Sequence, residues 1–449
     1  MSDGQSAEVM ARPLPNGWNW IPLGQYVENH DGRRVPISRS ERESRQGAFP
    51  YYGASGVIDT IDGFTHDGEF VLIGEDGANL LTRSKPLAFL MRGKVWVNNH
   101  AHVLRCKPGF PNAYLAYYIN SINLSAYVTG SAQPKLSQSM MNKIPIPVAP
   151  PEQQIEIVAE LEKQFSRLDE AVANLQRVKT NLKRYKASVL KAAVEGRLVV
   201  TEATLAHREG RTYETGEQLL LGILEDRRAK WSGRGKWKSP ESPTADTTLP
   251  EGWTWASVDQ LADVGTGATP KRDKAAYWND GDVPWVTSSV VNGDYVDQAS
   301  EFVTKLALAE TNLTLYPIGT LLIAMYGEGK TRGKCTELRI PASTNQALAA
   351  LQVDSSIRGY LRHFLQFNYE EMRKFASGGV QPNLNLSLVR AVCVPLPPFA
   401  EQARIVAEVD RHRSIIREVE GEVDTNLQRA KALRQATLAN VFQSSKASS

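Results

Sequence analysis

The segment Ala324–Thr331, AMYGEGKT, has the spacing of a loop that cradles nucleotide phosphates, and it follows the strand-like run TLLIAM. Such a loop needs a helix after it, whose N-terminus faces the anion. Here Arg332–Pro341, RGKCTELRIP, reads as another strand ending in proline, so nucleotide binding is not expected. Lys330, Arg332 and Lys334 then form either a basic hairpin within reach of phosphates or a solvated loop. His100 and His102 stand two apart on an expected strand, facing the same side with no carboxylate partner nearby. Gly265 and Gly267 lack the third glycine and the strand-to-helix context of a dinucleotide site. The sequence holds no NPPY-like methyltransferase tetrad, helicase motif set or nuclease cluster of Asp with Glu-x-Lys.

Polar side chains at loop tips could instead hydrogen-bond a partner; on DNA base edges Arg or Lys suits guanine and Asn or Gln suits adenine. In the first part of the chain the candidates are Arg33, Arg34, Arg39 and Arg45 of an arginine-rich loop, Ser55 in YYGASG, and Asn98, Asn99 and His100. Later they are Lys271 and Arg272, Ser288 and Ser289, Lys330, Arg332 and Lys334, and Asn345 with Gln346. The competing reading of any one of them is a solvated surface residue.

The elements that must position these residues occur twice. Gly130–Glu162 aligns without a gap on Gly378–Asp410, and LPNGWNW at Leu14–Trp20 is echoed by LPEGWTW at Leu249–Trp255. Gln133-Pro134 and Gln381-Pro382 recur in both copies, which marks them as structural, because residues that read sequence should differ between copies. Each copy mixes strand-like runs (Glu69–Gly74 and Lys94–Asn99; Gly319–Gly327 and Ala347–Val353) with a helical one (Ala113–Ser121; Tyr360–Asn368). Each then meets a proline-rich stop, after which helix formers take over.

In the first rod Val158, Leu161, Phe165, Leu168, Val172 and Leu175 step by threes and fours, and after a phase shift at Val178 the seam continues through Leu182, Tyr185 and Val189. Glu152–Val194 would be about 65 Å long. The second rod, Glu401–Phe442, carries Ile405, Val409, Ile416, Val419, Val423, Ala430, Leu433, Leu438 and Val441, with His412 interrupting the seam. A helix longer than its globule needs another partner for its apolar stripe, and the other rod is available for antiparallel pairing. Between rod and second globule, Gly216–Ala229 reads as a short amphipathic helix. The basic stretch that follows it, with Trp231 and Trp237, is either a tether or a strand that touches DNA.

Composition sets the bounds: 449 residues with 42% hydrophobic and 22% charged suit a protein with two or three cores. A net charge of +3 confines any nucleic-acid affinity to local patches. Cys106, Cys335 and Cys393 stand far apart, which argues against a disulfide framework or a structural zinc and points to a reducing cytoplasm. There is no apolar run of the length of a signal peptide or a membrane span, which sets membrane roles aside.

The order LPxGW, globule, G-x-x-Q-P-x-L, proline-rich stop, (E/Q)Q-x-x-IV-x-E and long helix, occurring twice, resembles the specificity subunit of type I restriction-modification systems over nearly the whole chain. The resemblance implies an α+β chain with a pseudo-twofold internal repeat, in which two α/β target recognition domains are joined by two long helices forming an antiparallel coiled coil. Its parts would be a tail (1–13), a first recognition domain (14–150), a central helix (151–197), a short helix and linker (198–248), a second recognition domain (249–398), a C-terminal helix (399–443) and a tail (444–449). It implies a non-catalytic subunit that reads a bipartite, asymmetric site on double-stranded DNA. The subunit would dock two DNA methyltransferase subunits and, through them, restriction and translocase subunits. No metal or cofactor would be bound by this chain; S-adenosylmethionine, ATP and Mg would serve the partners. The alternatives are a coiled-coil DNA-binding protein without restriction partners and an autonomous enzyme, either an NTPase or a methyltransferase.

Overall fold

The computed structural model describes residues 9–130, 132–231, 236–243, 245, 247–326, 331–375 and 383–443. The chain forms two compact units, Met1–Val178 with Glu422–Ser449 and Lys179–Gly421, so each unit holds one globule and a part of each long helix.

The first globule is built on a six-stranded sheet in the order Val27–Asn29, Ala101–Cys106, His66–Gly74, Ala88–Val97, Phe49–Gly53, Gly56–Ile61. The second repeats that order in five strands, Ala262–Thr266, Leu348–Val353, Leu321–Ala324, Cys335–Leu338, Tyr295–Val296. A separate three-stranded sheet (Glu301–Val303, Val283–Val286, Ser343–Thr344) is added to it. The expected strands and helices of both copies are present. After Leu321–Ala324 the next regular element is the antiparallel strand Cys335–Leu338, which agrees with the failure of the phosphate-loop reading.

The duplicated motifs meet at the base of each globule. Asn19–Pro22 pairs with Pro145–Val148, and Thr254–Ser257 with Cys393–Leu396, setting Trp20 opposite Pro147 and Trp255 opposite Pro395. Prolines are tolerated because a two-stranded ladder has free edges, where a missing N–H is no loss. In the helix Asn112–Ser121 the Tyr114 hydroxyl donates to the Pro147 carbonyl at 2.6 Å, and in Ser355–Phe367 Tyr360 donates to that of Pro395 at 2.5 Å. The Trp18 indole donates to Gln153 at 3.0 Å and that of Trp253 to Glu401 at 3.1 Å. Gln154 and Gln402 donate to the carbonyls of Ala149 and Pro397 just before each long helix. The recurring residues thus hold together the base of each globule where its long helix begins.

The first long helix is Pro151–Val194, opened by proline at its first position, where the missing N–H has no intrahelical partner to lose. Gly196, left-handed at φ +67°, follows its end. The second is Phe399–Gln443. Within the first unit Asp169 pairs with Arg434 at 2.9 Å, and Leu161 and Phe165 share the globule's core with Leu438 and Phe442. Within the second, Tyr185 bonds His412 at 2.9 Å, and Val189, Leu190 and Ala193 share a core with Ile405 and Val409. In both units the rising numbers of one helix meet the falling numbers of the other, as antiparallel pairing requires. Leu161, Phe165, Ile405 and Val409 therefore also pack against their globules, while Val158, Leu168, Val172, Leu175, Leu182 and Val419 are half-buried and Ile416 and Val423 buried.

Two seam assignments are corrected. Leu433 is 58% exposed, and Arg434 takes the inner position with its guanidinium 4.4 Å from the Phe165 ring, since steps of four from Ala430 to Leu438 rotate Leu433 outward. Val178 is likewise 39% exposed, whereas half-buried His412, bonded to Tyr185, does interrupt the seam, with buried Arg413 beside it.

The linker folds onto the second globule. Thr201 caps the helix Glu202–Glu209, and a capping box of Thr215 with Gln218 opens Gly216–Ala229. The Glu202 backbone N–H donates to Glu401 at 2.8 Å, and Glu202 itself is paired to Arg404 and Arg211, each at 2.7 Å. Burial would raise the Glu202 carboxyl, but the two arginines outweigh it and hold it below its ordinary value. Glu401 is pushed up, chiefly by burial, with the charge of Glu202 adding to the shift. No helix among the described residues is long and apolar enough to cross a membrane.

Candidate nucleic-acid interface

In the second globule three loops converge, those after Ala262–Thr266, Val283–Val286 and Ser343–Thr344. The last two strands run parallel, with Val286 opposite Thr344, and the Asn345 N–H donates to the Val286 carbonyl at 3.0 Å. Gly267 closes the cluster: a Cβ there would fall 1.7 Å from the Thr344 carbonyl oxygen, so only glycine admits the approach. Thr269 then donates to Gln346 Oε1 at 2.7 Å, Thr287 and Ser289 share a hydrogen bond of 3.0 Å, and Lys334 donates to Asn292 at 2.8 Å. One polar rim thus carries Lys271, Arg272, Ser288, Ser289, Lys334, Asn345 and Gln346. Arg272 is already engaged, stacked 3.9 Å from the Trp278 ring and paired with Glu301 at 2.5 Å. Asn345 turns its own loop by accepting from the Ala347 N–H, whereas exposed Gln346 keeps its amide nitrogen without a partner among the described residues. Arg332 is half-buried, with its carbonyl accepting from Arg373. Lys330 lies outside the described residues, as do Gln381 and Pro382.

The rim is held from below. Asp294, just past Asn292, is clamped by Arg413 of the long helix and by Arg417 at 2.8 Å. Burial would raise its carboxyl, but the hydrogen bond from Arg413 outweighs it and holds the group below its ordinary value. These carboxylate anchors escape sequence reasoning, because nothing in the order of residues ties position 294 to position 413.

In the first globule the turn at Ser55, the turn 98–100 and the loop after Gly74 come together. The Asn98 N–H donates to Tyr52, the Glu75 N–H to His100, and a Cβ on Gly74 would lie 2.7 Å from the Ala54 carbonyl oxygen. The Gln-Pro motif fixes the same loop: Gly77 donates to the Pro134 carbonyl and Leu136 to that of Glu75. Ser55, Asn99 and His100 therefore share a rim; no contact places Arg33 or Arg39 on it, although both are exposed.

Several expectations fail here. Arg34 is not a free reading arm: its guanidinium donates to Glu75 at 2.5 Å and to the Ala101 carbonyl at 2.9 Å and lies 3.4 Å from Asp31. Asn98 is 5% exposed and accepts from the His100 N–H at 2.8 Å, which makes it a turn former. Arg45 is drawn to Asp62 at 2.8 Å and stacked over Trp96. The two histidines do have carboxylate partners and do not share a face. Exposed His100 pairs with Asp76 at 2.7 Å, while buried His102 bonds Asp31 at 2.7 Å and the Leu136 carbonyl at 2.8 Å. For Asp31 and Glu75 burial works upward, but His102 for the one and Arg34 for the other, helped by further partners, hold both carboxyls below their ordinary values. Among the described residues no group of three or more His, Cys, Asp or Glu is placed to hold a metal ion.

The profile of the type I restriction modification DNA specificity domain matches residues 15–180 and 250–424. A putative type I restriction enzyme specificity subunit of Haemophilus influenzae is 40% identical over 140 residues, 31% of this chain and 35% of that protein. The EcoDI specificity subunit of Escherichia coli is 20% identical over 442 residues, 97% of this chain and 90% of that protein. The chain spans about a third to two fifths of the length of the first relatives it matches. A solved chain from a type I R-M system, whose structure concerns complex assembly and conformational transition, shares the fold with a TM-score of 0.61. It is 19% identical, and the match covers 96% of this chain and 99% of that one.

Proposed function

Because the chain belongs to the type I restriction-modification DNA specificity family, whose profile covers about three quarters of it, we propose that it is the sequence-recognition subunit of such a system. It carries no active site of its own. Each globule reads one half of a bipartite, asymmetric sequence on double-stranded DNA, and the long helices dock two adenine methyltransferase subunits that recruit restriction and translocation subunits. S-adenosylmethionine, ATP and Mg serve those partners, and the assembly works in the cytoplasm.

One observation carries the reading. The residues that recur between copies, Trp18 and Trp253, Gln154 and Gln402, Tyr114 and Tyr360, all hold together the base of the globule where its long helix begins. The polar rims differ, with Ser55, Asn99 and His100 in one and Ser289, Lys334 and Gln346 in the other. A shared scaffold with divergent rims suits two different half-sequences. Gln346 has the chemistry for adenine, and Lys334 that for guanine or a phosphate.

Selection of bound duplexes from a random pool by the chain with its methyltransferase subunits tests this. Two short defined blocks separated by unspecified bases are expected. One continuous block, or no enrichment, would contradict the reading.

A further inference from the structure

Beside the second rim the linker closes over an open cleft of 560 Å³, whose walls include Arg227, Trp231, Lys236, Trp237, Lys238 and Arg390. Its floor is Ala262–Thr266, the edge strand of the five-stranded sheet, together with Tyr316 and Gln352. Trp231 and Trp237 stand edge to face with ring centroids 5.5 Å apart, and the Arg227 guanidinium lies 5.7 Å from the Trp237 ring. The two carboxylates of the cleft are answered locally, Asp263 by Arg227 at 2.5 Å and Asp259 by Arg390 at 3.3 Å. Exposed Lys236 and Lys238 make no ion pair among the described residues, so the cleft carries an uncompensated positive charge next to an aromatic pair.

The floor strand runs on into the reading loop. The Tyr316 hydroxyl, which a Cβ on Gly265 would approach to 2.7 Å, donates to the Thr266 carbonyl at 2.9 Å, and three residues later Thr269 holds Gln346. Cleft and reading loop thus lie along one continuous stretch of chain. Basic residues interleaved with aromatics are the surface that tracks a nucleic-acid backbone.

We propose, resting on the DNA-recognition reading above, that this linker cleft is a second DNA-binding site, which takes the phosphodiester backbone of the duplex flanking the second half-sequence. It adds affinity without sequence information, because Lys236 and Lys238 meet phosphates and no base edge.

The test uses the full chain with its methyltransferase subunits and duplexes carrying the same target, either trimmed at the second half-sequence or extended beyond it by about one helical turn. Wild type should bind the extended duplex more tightly. The double variant Lys236→Ala/Lys238→Ala should lose that advantage, bind the trimmed duplex as wild type does, and show a log-affinity against log-salt slope shallower by about 2 on the extended duplex. Equal loss on both duplexes, or no loss on either, overturns the proposal. A competing single strand of thymidines separates the sources of phosphate: if Lys236→Ala/Lys238→Ala abolishes binding of that strand and leaves the flank advantage intact, the cleft holds single strands and the duplex proposal falls. A wild type with no preference for target over scrambled duplex would instead sink the recognition reading itself.

Discussion

The two globule bases are built alike but end differently at one residue. In the first, the tryptophan of the duplicated motif donates to Gln153, which is exposed; in the second it donates to Glu401, which is wholly buried. A glutamine offers one acceptor oxygen and a carboxylate offers two. The second oxygen of Glu401 receives the Glu202 N–H and so moors the linker helix. The lesson is that an apparently minor departure between repeats marks where one copy acquired an extra structural duty.

Breaking the base should hurt the copies unequally. Trp253 is 8% exposed within a core, so Trp253→Ala should cost about 3–5 kcal/mol. Trp18→Ala, at a half-buried site, should cost about 1 kcal/mol. Hydrogen exchange of the helices Ser355–Phe367 and Asn112–Ser121, which report on the two cores, measures both; equal losses would erase the distinction.

Next in size is Arg34→Ala. Removing the cation leaves the largely buried Asp31 to His102 and Glu75 to Lys135 alone among their cationic partners within 3.5 Å, and about 2–3 kcal/mol of local stability should go with it. Arg39→Ala, whose side chain is 86% exposed, should change stability by no more than about 0.5 kcal/mol. Denaturation of both variants, followed by DNA titration of whatever stays folded, checks the ranking.

Glu401→Gln would make the second base resemble the first. The Glu202 N–H would lose its acceptor, at about 1–3 kcal/mol, and amide exchange in Glu202–Glu209 should quicken while the globule's strands hold. The reverse change, Gln153→Glu, should be nearly silent. Unchanged exchange in the linker helix of Glu401→Gln would refute the mooring role.

The smallest effect is shared by both units. His66 in the first and His363 in the second have depressed basicity, chiefly from burial. Each stays neutral in the fold while the unfolded chain takes a proton at the ordinary histidine value. Their stabilising contribution is therefore whole above that value and is lost as pH falls through it toward the lower folded one. Melting between about pH 7 and pH 5 should show both units weakening, and a His363→Gln variant should flatten the decline in the second.

The sequence made the scaffold legible because it was written twice. Trp18 and Trp253, the paired prolines and the seam from Val158 to Val423 announced globule, stop and helix, and Gly216–Ala229 was read to the residue. The helix Glu202–Glu209 went unread, although Thr201 and Gly210 bracket it as caps. The rims were legible only in part. Residue type alone cannot separate exposed Arg39, paired one turn on with Glu43, from Arg34, whose Glu75 arrives from another element. Asp294 needed Arg413 from the far helix to acquire its meaning.

Exchanging one globule tests the central claim most directly. A chain in which Trp253–Pro398 is replaced by Trp18–Pro150 keeps Glu401 and both long helices, and its folding can be verified by melting. Mapping of methylated positions in DNA exposed to this chain with its methyltransferase subunits should show the first globule's half-sequence twice and the second not at all. Retention of the original second half-sequence in the folded chimera would contradict the assignment of one half-site to each globule.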